Sequence, residues 1–235
     1  MGKIGCGYGS EWHLLRYLGY HRSYLSQKVK EATGSHSVHW LDIPFSKTNI
    51  PLQQDREFKG MGFIQDTSVR SAWKLFWPQS GNAQNWDAIA TASIDNQHEW
   101  LLVEAKGHLK EMNSTCGASG PSRQKIRLAL EQTSRAVGNR LQPMDNWLSP
   151  YYQYANRLAA LHFLRNVCKP AIKARLLFVY FCGDPHKYAD CPKTEQAWMP
   201  DLQKMSNHLG IDKGCTLMQY MHRLFLPVNP EAVAE

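Results

Sequence analysis

Residues 85–108 read NWDAIATASIDNQHEWLLVEAKGH, and the architecture turns on how this stretch folds. Asp87 opens one predicted strand. A second, Trp100 to Lys106, begins as the apolar run Trp-Leu-Leu-Val and ends in Glu104-Ala105-Lys106. Side chains alternate along a strand, so Glu104 and Lys106 emerge on the same face. Between the runs, Asp95-Asn96-Gln97 is turn-prone, because Asp and Asn tolerate left-handed backbone and bond locally. Folded back as a hairpin, the two runs bring Asp87 near Glu104 or Lys106. Two carboxylates and an ammonium then meet at one end of an apolar sheet, a set able to hold a divalent cation and steer a water.

Upstream, Ser10 is the expected N-cap of a helix over Glu11 to Ala32, with Leu14, Leu18, Leu25 and Val29 as its apolar stripe. Glu11, Leu15 and Leu18 share a helical face, which puts the Glu11 carboxylate on or beside the buried side. It either complements the helix dipole or reaches the acidic site. His39 to Ile43 is a candidate strand, and Ser68 to Trp77 a short helix stopped by Pro78. Downstream, Asn113 to Ser122 is a glycine-rich loop. Helices over Arg123 to Val137 and Tyr151 to Val167 follow, and Arg175 to Cys182 (RLLFVYFC) is a buried strand. A helix over Glu195 to Leu209, broken near Pro200, precedes Thr216 to Leu226, which suits either a helix or a strand. This order predicts an α/β protein, a mixed central sheet with helices on both faces.

The 235 residues hold enough apolar material, 43%, for one compact domain, and no linker or internal repeat divides them. The six cysteines are scattered and form no CxxC pair, and Cys182, His186 and Cys191 lack a second ligand pair for zinc. The N-terminus has no apolar core of signal-peptide length, and no window suits a membrane helix, so a reducing cytoplasm is the expected location. A net charge of +7, spread along the sequence, favours a polyanionic partner.

Asp87, a strand interval, and Glu104-Ala105-Lys106 after an apolar run resemble the PD-(D/E)xK nuclease superfamily, whose core is restriction-endonuclease-like. An acidic residue on a first helix (Glu11), and a helix followed by another core strand, are recurrent features there too. The resemblance covers about residues 10–182 and leaves 183–235 as a C-terminal extension of a single domain over 1–235. Trp86 stands where the family often has proline. The resemblance implies that Asp87 and Glu104, with the Ala105 carbonyl, ligate Mg²⁺ or Mn²⁺, and that Lys106 assists the attacking water. Glu11 would support a second metal or a water network. Some members bring a Gln and a Tyr from a later helix; Gln153, Asn156 and Arg157 are the nearest candidates, and His108 is close enough in sequence to approach a phosphate. The implied activity is phosphodiester hydrolysis of nucleic acid, DNA first, by an endonuclease. A homodimer would suit cutting two strands.

Two other readings use the same residues. In one, an inactive nuclease scaffold binds nucleic acid or a protein; in the other, the carboxylates serve a nucleotide hydrolase. The Gly5-Cys6-Gly7-Tyr8-Gly9 turn lacks a preceding strand and a Lys-Ser/Thr, so it makes no phosphate loop. The ten histidines form no HExxH, no GxSxG elbow is present, and Cys116 has no evident base.

Overall fold

A computed structural model describes residues 7–42, 58–79, 84–139, 141–187 and 189–230. The chain begins with α1 (Ser10–Tyr20) and α2 (Arg22–Thr33), followed by β1 (Ser37–Trp40), β2 (Phe58–Lys59) and α3 (Thr67–Phe76). Next come β3 (Asn85–Trp86), β4 (Ala88–Ile94), β5 (Gln97–Lys106), α4 (Gly120–Ala136), α5 (Asp145–Leu148) and α6 (Tyr152–His162). The C-terminal part supplies β6 (Ala174–Cys182), α7 (Glu195–Leu209) and β7 (Met221–Pro227). Five strands form one sheet in the order β1-β4-β5-β6-β7, and β2 pairs with β3 separately.

The expected hairpin is present: β4 and β5 pair antiparallel from Ala88↔Val103 to Ile94↔Gln97. Asp95 and Asn96 turn it with φ of 50° and 59°, the left-handed pair a tight two-residue hairpin requires. β5 then runs parallel to β6, and β6 to β7, which long helical crossovers make possible. The fold is therefore mixed α/β with helices on both faces, as the sequence order predicts.

Alternation along β5 sorts its residues between two cores. Leu101, Val103 and Ala105 join Leu14, Tyr17 and Leu18 of α1 and Leu25 and Val29 of α2. Leu102 points the other way, into the larger core built with Leu130 of α4, Leu158 of α6 and Trp198 of α7. Glu104 and Lys106 share the parity of Leu102 and so face α6. Indole nitrogens buried in that core are satisfied: Trp198 donates to the Phe181 carbonyl at 3.2 Å and Trp147 to that of Leu209 at 3.0 Å.

Several boundaries differ from expectation, each for a local reason. The first helix is two, α1 and α2, separated at His21. Ser10 is the first residue of α1 rather than its cap. Asp184 instead accepts the Gly9 N–H at 2.7 Å, and Glu111 that of Ser10 at 3.4 Å, so distant carboxylates satisfy the helix start. The candidate strand at 39–43 lies earlier, over Ser37–Trp40, and Ile43 falls outside the described residues, as do Gly5 and Cys6 of the glycine-rich turn. α7 continues through Pro200, early enough that the lost N–H partner is a first-turn carbonyl. Thr216–Tyr220 forms a 3-10 turn and Met221–Pro227 a strand, so the segment is both helical and extended in succession. That strand edges the main sheet, which thus reaches beyond residues 10–182.

Candidate active site

Asp87 sits in the break between β3 and β4, where its N–H still reaches the Val103 carbonyl at 3.2 Å. β4 ends here, leaving the next N–H of β5 on that side, that of Ala105, without a strand partner. The Asp87 carboxylate accepts it at 2.6 Å. N–H and C=O of one residue leave a strand on the same side, so the Ala105 carbonyl is also directed toward Asp87.

Glu104 is almost completely buried, at 1% exposure, yet carries a carboxylate. Two cations satisfy it. Lys106 Nζ donates to Oε1 at 2.5 Å, and Arg157 Nε donates to Oε2 at 2.7 Å. Lys106 gives a second hydrogen bond to Gln153 Oε1 at 2.8 Å. Arg157 also donates to Asn156 Oδ1 at 2.7 Å, and Gln84 donates to the Asn156 backbone carbonyl. The α6 helix thus turns Gln153, Asn156 and Arg157 toward the sheet. Asn156 and Arg157 are buried, Arg157 satisfied by Glu104 of β5 and Asn156 by Arg157 and Gln84.

The two carboxyls are driven apart in acidity. Burial pushes Asp87 up, and the neighbouring Glu104 charge adds to it, so that its pKa reaches about 8 despite Lys106, the Ala105 N–H and Arg157. Some surface of Asp87 remains open, but protein closes around the carboxyl itself. Glu104 is also penalised by burial; Arg157 and Lys106 more than offset this and hold it below the usual carboxylate range. The cluster thus sets a carboxyl that favours its neutral form, Asp87, beside one that favours its charged form, Glu104.

Glu104, Lys106, Met112, Gln153, Tyr154 and Met205 are among the residues lining a small pocket beside this cluster. Its polar end offers Lys106 and the Gln153 amide, a fitting place for a water.

The donor set suits a hard divalent cation in kind: Asp87, a Glu104 oxygen and the Ala105 carbonyl are all oxygen ligands. It is sparse in number, for no group of three His, Cys, Asp or Glu side chains placed to hold a metal occurs among the described residues. Magnesium tolerates such a site, since it is commonly held by one or two carboxylates and completes its shell with waters and phosphate oxygens.

Glu11 is half-buried in the first turn of α1, the helix packed on the opposite face from Glu104 and Lys106, and is not among the groups that dominate the acidity of Asp87 and Glu104. His108 turns away from the cluster. Its Nε2 lies 3.3 Å from Glu111 Oε1, and its ring stands 5.0 Å from that of His186. Trp86 has a role that sequence reasoning missed: its ring lies under the Arg157 guanidinium. An aromatic beside Asp87 is a faint signal for this; Gln84 gives none.

Comparison with family models, with curated proteins and with solved structures gave no match.

Proposed function

We propose that this chain is a metal-dependent nuclease of the PD-(D/E)xK type, hydrolysing phosphodiester bonds of DNA as an endonuclease. The observation that carries this reading is the meeting of Asp87, Glu104, Ala105 and Lys106 where β4 stops short of the end of β5. A restriction-endonuclease-like core would have its active site at this break. Bound Mg²⁺ or Mn²⁺ would polarise the phosphate and acidify a water.

The protein's own groups then have distinct tasks. Asp87, once released from its proton, and Glu104 would hold the cation, with the Ala105 carbonyl beside them. Lys106, anchored by Gln153 on one side, orients the water and meets negative charge growing on the phosphate. Gln153 anchors the Lys106 amine independently of Glu104 and would keep it in place with a cation bound. Arg157 keeps Glu104 ionised in a buried setting.

Plasmid or oligonucleotide cleavage with Mg²⁺ or Mn²⁺ tests the assignment. Wild-type protein is expected to nick or cut DNA, and Asp87→Ala and Lys106→Ala to abolish it with the fold retained by circular dichroism. Cleavage unchanged in both variants would sink it.

One observation favours a second reading, an inactive nucleic-acid or protein-binding module. Both Glu104 oxygens are already paired with cations, which is how a buried polar cluster in a non-catalytic scaffold is satisfied. Absence of metal binding by calorimetry in the wild type would select it.

A further inference from the structure

The positive charge that looks dispersed in the sequence is gathered in space. α3 and α4 carry Arg70, Lys74, Arg123, Lys125, Arg127 and Arg135 against a single acidic residue, Glu131. Asp66 at the α3 N-cap and Asp145, 2.8 Å from Arg127, reduce that excess from five to three, in a chain whose net charge is +7. The helices touch, for Lys125 Nζ donates to the Lys74 carbonyl at 3.0 Å.

Between them runs a groove of about 280 Å³ lined by Leu75, Phe76, Pro121, Gln124, Leu128 and Gln132, among others. Leu75 is 79% exposed and Leu128 54%, unusual for leucine and placed on the two walls of the same groove. On α4, Gln124, Leu128 and Gln132 recur every four residues and so line one ridge, with Arg123 and Arg127 on the ridge beside it.

We propose that the α3–α4 groove binds single-stranded nucleic acid. Lys74, Arg123 and Lys125 would take phosphates. Unstacked bases would lie against Leu75, Phe76 and Leu128, with the Gln124 and Gln132 amides reaching base edges. Both halves of the surface are needed to choose the occupant. A duplex presents phosphates but keeps its base faces stacked inward, leaving the exposed leucines uncovered. A single strand offers charge and apolar faces together. A second copy of this chain would bring like charge against like.

The groove is linked to the cluster on β5 through α6. Arg123 Nη1 donates to the Cys116 carbonyl in the loop before α4, and α4 packs on α6, which bears Gln153 and Arg157. The inference rests on the nuclease reading for its choice of polyanion, but the binding itself requires no metal.

Fluorescence anisotropy with a labelled oligothymidylate of about 20 nucleotides, in EDTA and over a series of KCl concentrations, tests it. The wild-type chain is expected to bind this probe more tightly than a duplex of the same length. The triple variant Lys74→Ala, Arg123→Ala, Lys125→Ala should flatten the plot of log affinity against log salt by about 2, near 0.7 per lost phosphate contact. Leu128→Ala should weaken binding about five-fold or more and leave that slope alone. Equal duplex binding, an unbound probe, or variants without effect would each overturn the proposal. So would an acidic, leucine-bearing helical peptide whose binding, unlike that of the oligonucleotide, depends on Leu128. Strand binding in EDTA with no cleavage after Mg²⁺ addition would remove the nuclease reading and leave the groove standing. Cleavage and strand binding both indifferent to the groove variants would remove the groove alone.

Discussion

The Arg157 guanidinium carbon lies 4.9 Å from the centroid of the Trp86 ring, with Glu104 accepting its Nε–H at 2.7 Å. Trp86 is fully buried and donates its own N–H to the Gly60 carbonyl at 3.0 Å, so the ring is a fixed shelf. A flat, permanently charged group held against an aromatic face is a task for arginine rather than lysine. The residue before Asp87 therefore contributes to the site through its partner on α6, without being a ligand.

Removing the Arg157 charge should destabilise the fold strongly, because Glu104 would be left buried with Lys106 alone. Arg157→Met is expected to lower unfolding free energy by roughly 3–5 kcal/mol, read from urea denaturation. Arg157→Lys should recover only part of that. A loss below about 1 kcal/mol in the Met variant would mean that Glu104 does not depend on this pair.

Asp87 gives a signed pH dependence. Its carboxyl is raised from 3.8 to about 8, so between these values the folded protein holds a proton that the unfolded chain has released. Stability from this group is complete below the lower value and falls as pH climbs through the window, by at most about 1.4 kcal/mol per pH unit. Asp87→Asn should flatten the profile. On the proposed reading a divalent cation would compete with the same proton, so Mn²⁺ affinity measured by calorimetry should rise with pH up to about 8. A pH-independent affinity over pH 6 to 8, tested as roughly two units on the same titration, would contradict this.

Gln153 offers a cleaner test of catalysis than of folding. Gln153→Leu removes the second acceptor of the Lys106 ammonium, which then has Glu104 as its remaining side-chain partner among the described residues. Cleavage is expected to drop about 10- to 100-fold, with a small change in melting temperature. Gln153→Glu, which keeps an acceptor at that position, should restore a good part of the rate.

Much of this arrangement is legible in the sequence because it depends on local rules. Period-two alternation places Glu104 with Lys106, and Asp95-Asn96 sets the hairpin register, Ala88 opposite Val103, that delivers Asp87 to its hydrogen bonds with Val103 and Ala105. The strand Ala174–Cys182 is readable from its uninterrupted apolar run. What escapes such reading depends on contacts made across long intervals of chain. The α1 start is capped by Asp184 and Glu111, which no nearby residue announces. Asn156 and Arg157 look like surface residues until Glu104 is known to need them. Lysines and arginines of α3 and α4, about fifty positions apart, form one patch only once the helices are side by side.

The division of β5 between two cores guards the protein against its own misfolding. If that strand were threaded one position out of step, a carboxylate and an ammonium would be thrust into the apolar cluster of Leu14, Tyr17 and Leu25. The charges of Glu104 and Lys106 thus act as a key in a keyway, admitting a single alignment of the central strand and rejecting its nearest neighbours.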